Sequence, residues 1–118
     1  MVGSAFALIE VGALEHLRAE EPPVFTAGEE AYARDKADPE RRLAARLAAK
    51  QAARRLLGGE TQLGEIEVAR GPYGPPTLRL SGVARERMEE LGATSALVSL
   101  THERRHAAAV VLLLREEA

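Results

Sequence analysis

The sequence predicts an α+β fold, and three observations predict it. One long helical run, Asp38 to Gly59, occupies the middle of the chain. Two apolar, β-branched runs close it. Between these, helical and extended patterns mix without the strict alternation that marks a parallel-sheet protein.

The elements follow in order. Val2 to Val11 alternates loosely and reads as a first strand. Gly12 to Ala19 reads as a short helix with Leu14 and Leu17 facing inward, ended by Glu21-Pro22-Pro23. Thr26 followed three residues later by Glu29 is a capping-box pattern that opens a second helix, reaching about Arg34. Asp38 suits the N-cap of the long helix, Pro39 its first turn, and Gly58-Gly59 its end. Glu65 to Arg70 and Thr77 to Leu80 read as strands joined by a turn over Gly71 to Pro76, where two glycines and three prolines forbid regular structure. Ser81 is placed to cap a helix over Val83 to Leu91, which Gly92 stops. Ser95 to Thr101 and Ala107 to Leu114 form a closing hairpin. With no repeat and no dividing linker, residues 1–118 read as one domain.

The long helix carries the feature with most chemical content. Arg42, Arg46, Lys50 and Arg54 recur every fourth residue, a spacing that advances about 40° around the axis per step and lays out one slowly winding basic stripe. Glu40 is the only acid in the run, so these charges repel unless an acid from elsewhere meets them. The stripe fits phosphates or an acidic protein; its bland reading is a solvated face.

Composition narrows the field. A net charge of −2 argues against general nucleic-acid binding, and 3% aromatic content leaves little for base stacking. The chain has no cysteine, which removes disulfides and thiol chemistry. The longest apolar run, Ala107 to Leu114, is too short to span a bilayer, and the N-terminus lacks a signal peptide's basic region, so the expectation is a cytoplasmic protein without membrane contact.

His102-Glu103-Arg104-Arg105-His106 matches the H-E-x-x-H pattern of zinc peptidases. That chemistry needs a helix, which brings the two histidines to one side. Here both flanks read as strands, and no third ligand is evident. The segment therefore reads as a polar hairpin end.

The order of these pieces resembles the holo-acyl-carrier-protein synthase family of small phosphopantetheinyl transferases. Phe25-Thr26 with Glu29 or Glu30 is similar to that family's F-T-x-x-E segment. Ala45 to Ala52, ARLAAKQA, is similar to its A-R-F-A-A-K-E-A helix. Ile66-Glu67-Val68, Gly74-Pro75-Pro76 and Leu78-Arg79-Leu80 follow its hairpin, and Leu91 to His102, LGATSALVSLTH, its penultimate strand. The resemblance implies a small mixed sheet packed on a long central helix, and homotrimers with sites shared between subunits. It also implies transfer of the phosphopantetheine arm of coenzyme A to an acyl carrier protein, in a fatty-acid or polyketide type pathway. Arg46, Lys50 and His102 fall at positions that meet coenzyme A, and Arg42 and Arg54 could meet the acidic carrier protein.

The resemblance breaks at the metal. The family holds Mg²⁺ with an aspartate of the first strand and the glutamate of A-A-K-E. Those positions are Ala7 and Gln51 here. Glu10 is the one acid left nearby, and the arginine that helps hold the carrier protein is replaced by Ala13. Losing two carboxylates beside Arg46 and Lys50 should leave the groove more basic. The expectation is a protein that keeps the fold and binds a carrier protein, its arm or a coenzyme A-like ligand, with Mg²⁺ doubtful. Two alternatives are a working transferase with a metal site of Glu10, Gln51 and phosphate oxygens, and a structural partner of a true synthase.

Overall fold

A computed structural model describes residues 1–20, 23–70 and 73–116. Strand β1 (Gly3–Glu10) leads through a 3-10 turn to helix α1 (Leu14–Glu20). Helices α2 (Ala27–Arg34) and α3 (Pro39–Leu57) follow, then the hairpin β2 (Ile66–Ala69) and β3 (Thr77–Leu80), helix α4 (Gly82–Glu90), and the hairpin β4 (Ser95–His102) and β5 (His106–Leu114). The expected stop at Glu21-Pro22 and the start of the turn at Gly71-Pro72 lie outside the described residues.

The α+β class and the central helix stand as expected. The strands divide into two small antiparallel sheets, β1-β5-β4 and β2-β3, because the chain returns β5 between β1 and β4 while the short hairpin pairs with itself. β1 runs against β5 with Ala7 opposite Ala109 and Glu10 opposite His106. The inner face presents Ala7, Ile9, Val98, Ala107, Ala109, Val111 and Leu113, all buried. It packs on α3, whose Ala44, Ala45, Ala48, Ala49, Ala52 and Ala53 are fully or almost fully buried. Small side chains on both surfaces let helix and sheet approach closely, and they make α3 an interior element rather than a one-faced surface helix.

Strand alternation sends the neighbouring residues outward. Phe6, Leu8, Leu97 and Val110 are exposed and lie side by side, since Phe6 pairs with Val110, Val110 with Ser99 and Leu97 with Leu112. At the open edge of this sheet, Arg55 of α3 donates to the main-chain carbonyl of Phe6 on β1.

The caps divide between expected and substituted ones. Thr26 and Glu29 form the full reciprocal capping box of α2. Asp38 does not cap α3 with its side chain, because its carboxylate accepts instead from Arg42 Nε at 3.0 Å. Ser81 does not cap α4 either; Glu65 accepts the Val83 N–H at 2.8 Å. That substitution requires Gly82, whose φ is +54° and where a Cβ would lie 2.0 Å from the Glu65 carboxylate. Gly92, at φ +75°, ends α4 as the sequence implies.

Candidate functional site

The basic stripe of α3 does not present four equivalent charges. Lys50 is fully buried, and its ammonium pairs with the Glu29 carboxylate of α2. Glu29 also accepts the N–H of Val68 on β2 and of Thr26, both at 2.9 Å. Burial pulls the Lys50 ammonium below its ordinary range, with Glu29 opposing. The acid that answers the stripe therefore comes from the capping box, and the more basic groove expected at Lys50 is not there.

Arg46, one turn earlier, is 3% exposed. Its guanidinium stacks on the Tyr32 ring with 3.9 Å from Cζ to the ring centre, and its Nε has no hydrogen-bond partner among the described residues. Desolvation lowers its pKa from the usual arginine value. Arg42, another turn back, reaches the Tyr32 hydroxyl at 3.5 Å while holding Asp38. The hydrogen bond from Arg42 keeps the Asp38 carboxyl below its usual value, and His102 adds to that by its charge. Burial alone would raise the Tyr32 phenol, but Arg46, Arg42 and Lys36 outweigh it and bring it below its ordinary value.

Asp38, Arg42, Tyr32 and Arg46 thus form a connected polar chain along the start of α3, and His102 acts on its Asp38 end through charge alone. Two openings flank it. The larger, about 760 Å³, is lined by Asp38, Arg41, Arg42 and Arg104 among others. The smaller, about 210 Å³, lies between α2 and the β2–β3 hairpin and is lined by Tyr32, Arg46, Glu67, Arg70 and Arg79 among others. The Arg42–Tyr32 contact stands between them, Arg42 lining one and Tyr32 the other.

The predicted residues are therefore brought together in part. Arg42 and Arg46 share Tyr32, and His102, half-buried, has no partner for its Nδ1 among the described residues. Lys50 is behind them in the core. Arg54 is two turns beyond Arg46, about 12 Å along the axis. Tyr32 carries no motif in the sequence, and Glu67 is legible there only as part of the hairpin. The available signal was the position of Tyr32 three residues after Glu29, which puts both on the α2 face that meets α3.

The metal implied by the resemblance is not fitted by the residues present. Ala7 is buried on the sheet face toward α3 and offers a methyl group. Gln51, half-buried on α3, offers a neutral carbonyl oxygen. Glu10 is exposed, and its odd spacing from Ala7 points it to the opposite face of the sheet. Among the described residues, no group of three histidine, aspartate or glutamate side chains could hold a metal ion. The H-E-x-x-H segment sits at the β4–β5 turn, where Glu103 accepts from the Arg105 N–H and contacts His106 Nδ1 at 2.8 Å. No helix among the described residues is long and apolar enough to cross a membrane.

Comparison with known proteins adds a family. No family model matches the chain. It is 38% identical over 96 residues to a holo-acyl-carrier-protein synthase of Carboxydothermus hydrogenoformans, covering 79% of this chain and 77% of the relative. A synthase of the same name from Moorella thermoacetica is 37% identical over 120 aligned positions, 96% of this chain and 94% of the relative. One from Nitratidesulfovibrio vulgaris is 51% identical over 81 residues, and the chain there spans 65% of the relative's length. Among solved structures, the acyl carrier protein synthase of Mycobacterium tuberculosis superposes with a TM-score of 0.72 over 98% of both chains at 34% identity. The Helicobacter pylori synthase in complex with coenzyme A superposes at 0.77 over 95% of this chain and 100% of that one; at 21% identity it shows the fold.

Proposed function

The chain belongs to the holo-acyl-carrier-protein synthase family, and on that footing we propose that it binds an acyl carrier protein, its phosphopantetheine arm or a coenzyme A-like ligand without metal-dependent transfer of the arm. It serves as a scaffold, or acts on a carrier-bound substrate by other chemistry. One observation carries the reading: the two positions that hold carboxylates in the family are a buried alanine and a neutral glutamine, Ala7 and Gln51. Transfer of a phosphoryl group depends on neutralising charge on the pyrophosphate and on removing the serine proton. Ala7 and Gln51 do neither.

The ligand reading rests on Arg46, with His102 beside the start of α3 and Arg42 and Arg54 outside it as the cations for the carrier protein. Lys50 contributes by fixing α3 against α2. The exposed apolar sheet face of Phe6, Leu8, Leu97 and Val110 supports contact with further copies, as in the homotrimer the resemblance implies, because a contiguous patch of this kind marks an interaction surface.

The deciding experiment incubates the protein with coenzyme A, Mg²⁺ and apo carrier protein and reads the carrier's mass. The expected result is no added arm, together with measurable binding of coenzyme A or of the carrier protein. Transfer at the rate of an intact synthase assayed alongside would overturn the proposal.

A further inference from the structure

We propose that Tyr32 is a phosphorylation site: a tyrosine kinase transfers the γ-phosphoryl group of ATP to its phenol oxygen, Arg42, Arg46 and Lys36 hold the product, and the groove at the start of α3 is closed by it. The holding of the phosphoryl group stands on the geometry of this chain; its effect on binding rests on the proposed function.

Three cations converge on one neutral ring. Arg42 Nη1 lies 3.5 Å from the Tyr32 hydroxyl. The Arg46 guanidinium lies over the ring, 3.9 Å from its centre, and the Lys36 ammonium lies 4.8 Å from the same centre. Lys36 comes from just beyond α2 and the two arginines from α3, so the charge reaches the ring from two segments. The nearby acids are committed elsewhere. Asp38 takes Arg42 Nε at 3.0 Å, Glu29 pairs with Lys50, and Glu67 accepts from the Thr26 hydroxyl. A phenol answers this setting poorly: at 3.5 Å its hydroxyl is at the limit of a hydrogen bond, and it carries no charge. A phosphoryl group brings about −1.5 to −2 charge at neutral pH and three strong acceptor oxygens. Set opposite arginines, such a group makes charge-assisted hydrogen bonds rather than disrupting the fold.

The hydroxyl can also be reached and can react. Tyr32 is half-buried and lines the opening beside the β2–β3 hairpin. It lies two residues before the end of an eight-residue helix, where fraying is easiest. The surrounding cations already favour its ionised form against burial, and it is the ionised oxygen that attacks phosphorus. In the transfer the phenol oxygen bonds to the γ-phosphorus, the bond from that phosphorus to the bridging oxygen breaks, ADP leaves with the electron pair, and the phenolic proton goes to the kinase's base. The phosphoryl group then occupies the boundary between the two openings, since Arg42 lines one and Tyr32 the other. It engages Arg42 and Arg46 and places a like charge in the path of any anionic ligand.

The test uses the full chain with phosphotyrosine placed at position 32 by stop-codon suppression, and the same group placed at the 92% exposed Tyr73 as comparison. In ³¹P titration the group at position 32 should take its second ionisation at lower pH than the one at position 73, and Arg42→Gln should narrow the gap. The chain phosphorylated at Tyr32 should melt above the unmodified one. A tyrosine kinase of broad specificity with ATP should label Tyr32 in the folded chain, read by mass spectrometry. Equal titration at the two positions, no rise in melting temperature, or no label on Tyr32 would each overturn the site. Calorimetry with coenzyme A separates this from the proposed function: the unmodified chain should bind, phosphate on Tyr32 should weaken binding at least about tenfold, and phosphate on Tyr73 should not. If the group is held as described but the unmodified chain binds neither coenzyme A nor carrier protein, the site stands and the proposed function falls. If coenzyme A binds equally with and without phosphate on Tyr32, the closure falls and the proposed function stands.

Discussion

Lys50 and Glu29 form a fully buried ion pair that joins α3 to α2, and the same carboxylate accepts the Val68 N–H of β2. Three elements therefore depend on one side chain. Glu29→Ala leaves an ammonium and an amide N–H buried without partners, and the expected loss is about 3–5 kcal/mol in urea unfolding. Adding Lys50→Met should recover part of it, since the stranded charge is gone. Glu30→Ala, which breaks the half-exposed pair with Arg18, should cost no more than about 1 kcal/mol. Equal losses for Glu29→Ala and Glu30→Ala would contradict the central placement of Glu29.

Tyr32 gives a pH-dependent readout. Tyr32 and Tyr73 are the two tyrosines, and Tyr73 is 92% exposed. Ultraviolet titration should resolve a lower phenol step, below the reference value of 10.0, that belongs to Tyr32 and survives Tyr73→Phe. Arg46→Met should move the lower step upward. The sign for stability follows from linkage: a depressed folded-state pKa gives a contribution fully present above pH 10.0, lost as pH falls through the folded pKa. Absence of any phenol step below 10.0 would remove the three-cation environment.

Restoring the two acids should restore the metal. Ala7→Asp with Gln51→Glu is expected to bind Mg²⁺ by calorimetry, while the parent chain does not. Because Ala7 is buried, the double variant without metal should be less stable than the parent, and Mg²⁺ at a hundred times its Kd should return about 2.7 kcal/mol. Absence of any Mg²⁺ effect on the double variant would show that these positions do not form one site.

Assembly is tested on the outward sheet face. The parent should sediment as a trimer, and Leu8→Lys, a change at a residue 58% exposed in the single chain, should give monomers that keep their helical content. A parent that sediments as a monomer at tens of micromolar would remove the trimer.

Much of the architecture could be read directly. The capping box at Thr26 and Glu29, glycine ends for α3 and α4, and the β-branched closing hairpin each have a local cause, so local pattern sufficed. What escaped was tertiary. Spacing laid Lys50 on a stripe with Arg42 and Arg54, but alanine surrounds α3 so completely that there is no solvent side at Lys50. Its partner Glu29 also caps α2, and a carboxylate has two oxygens to offer. Asp38 and Ser81 were sound cap residues by type. They were displaced because Arg42 and Glu65 reached the relevant groups from outside the local segment. Tyr32 carried no motif of its own, and only the crossing of α2 on α3 puts it beside Arg46.

The guanidinium of Arg55 on the Phe6 carbonyl has an effect beyond the single subunit. An outermost strand ordinarily invites another chain to extend the ladder without limit. With a side chain from the helix lodged at that border, one carbonyl of the edge is no longer open to a further strand, and the outward face of Phe6, Leu8 and Val110 is what remains for another copy to meet. The same arginine that tethers helix to strand thereby discourages open-ended strand addition at that border.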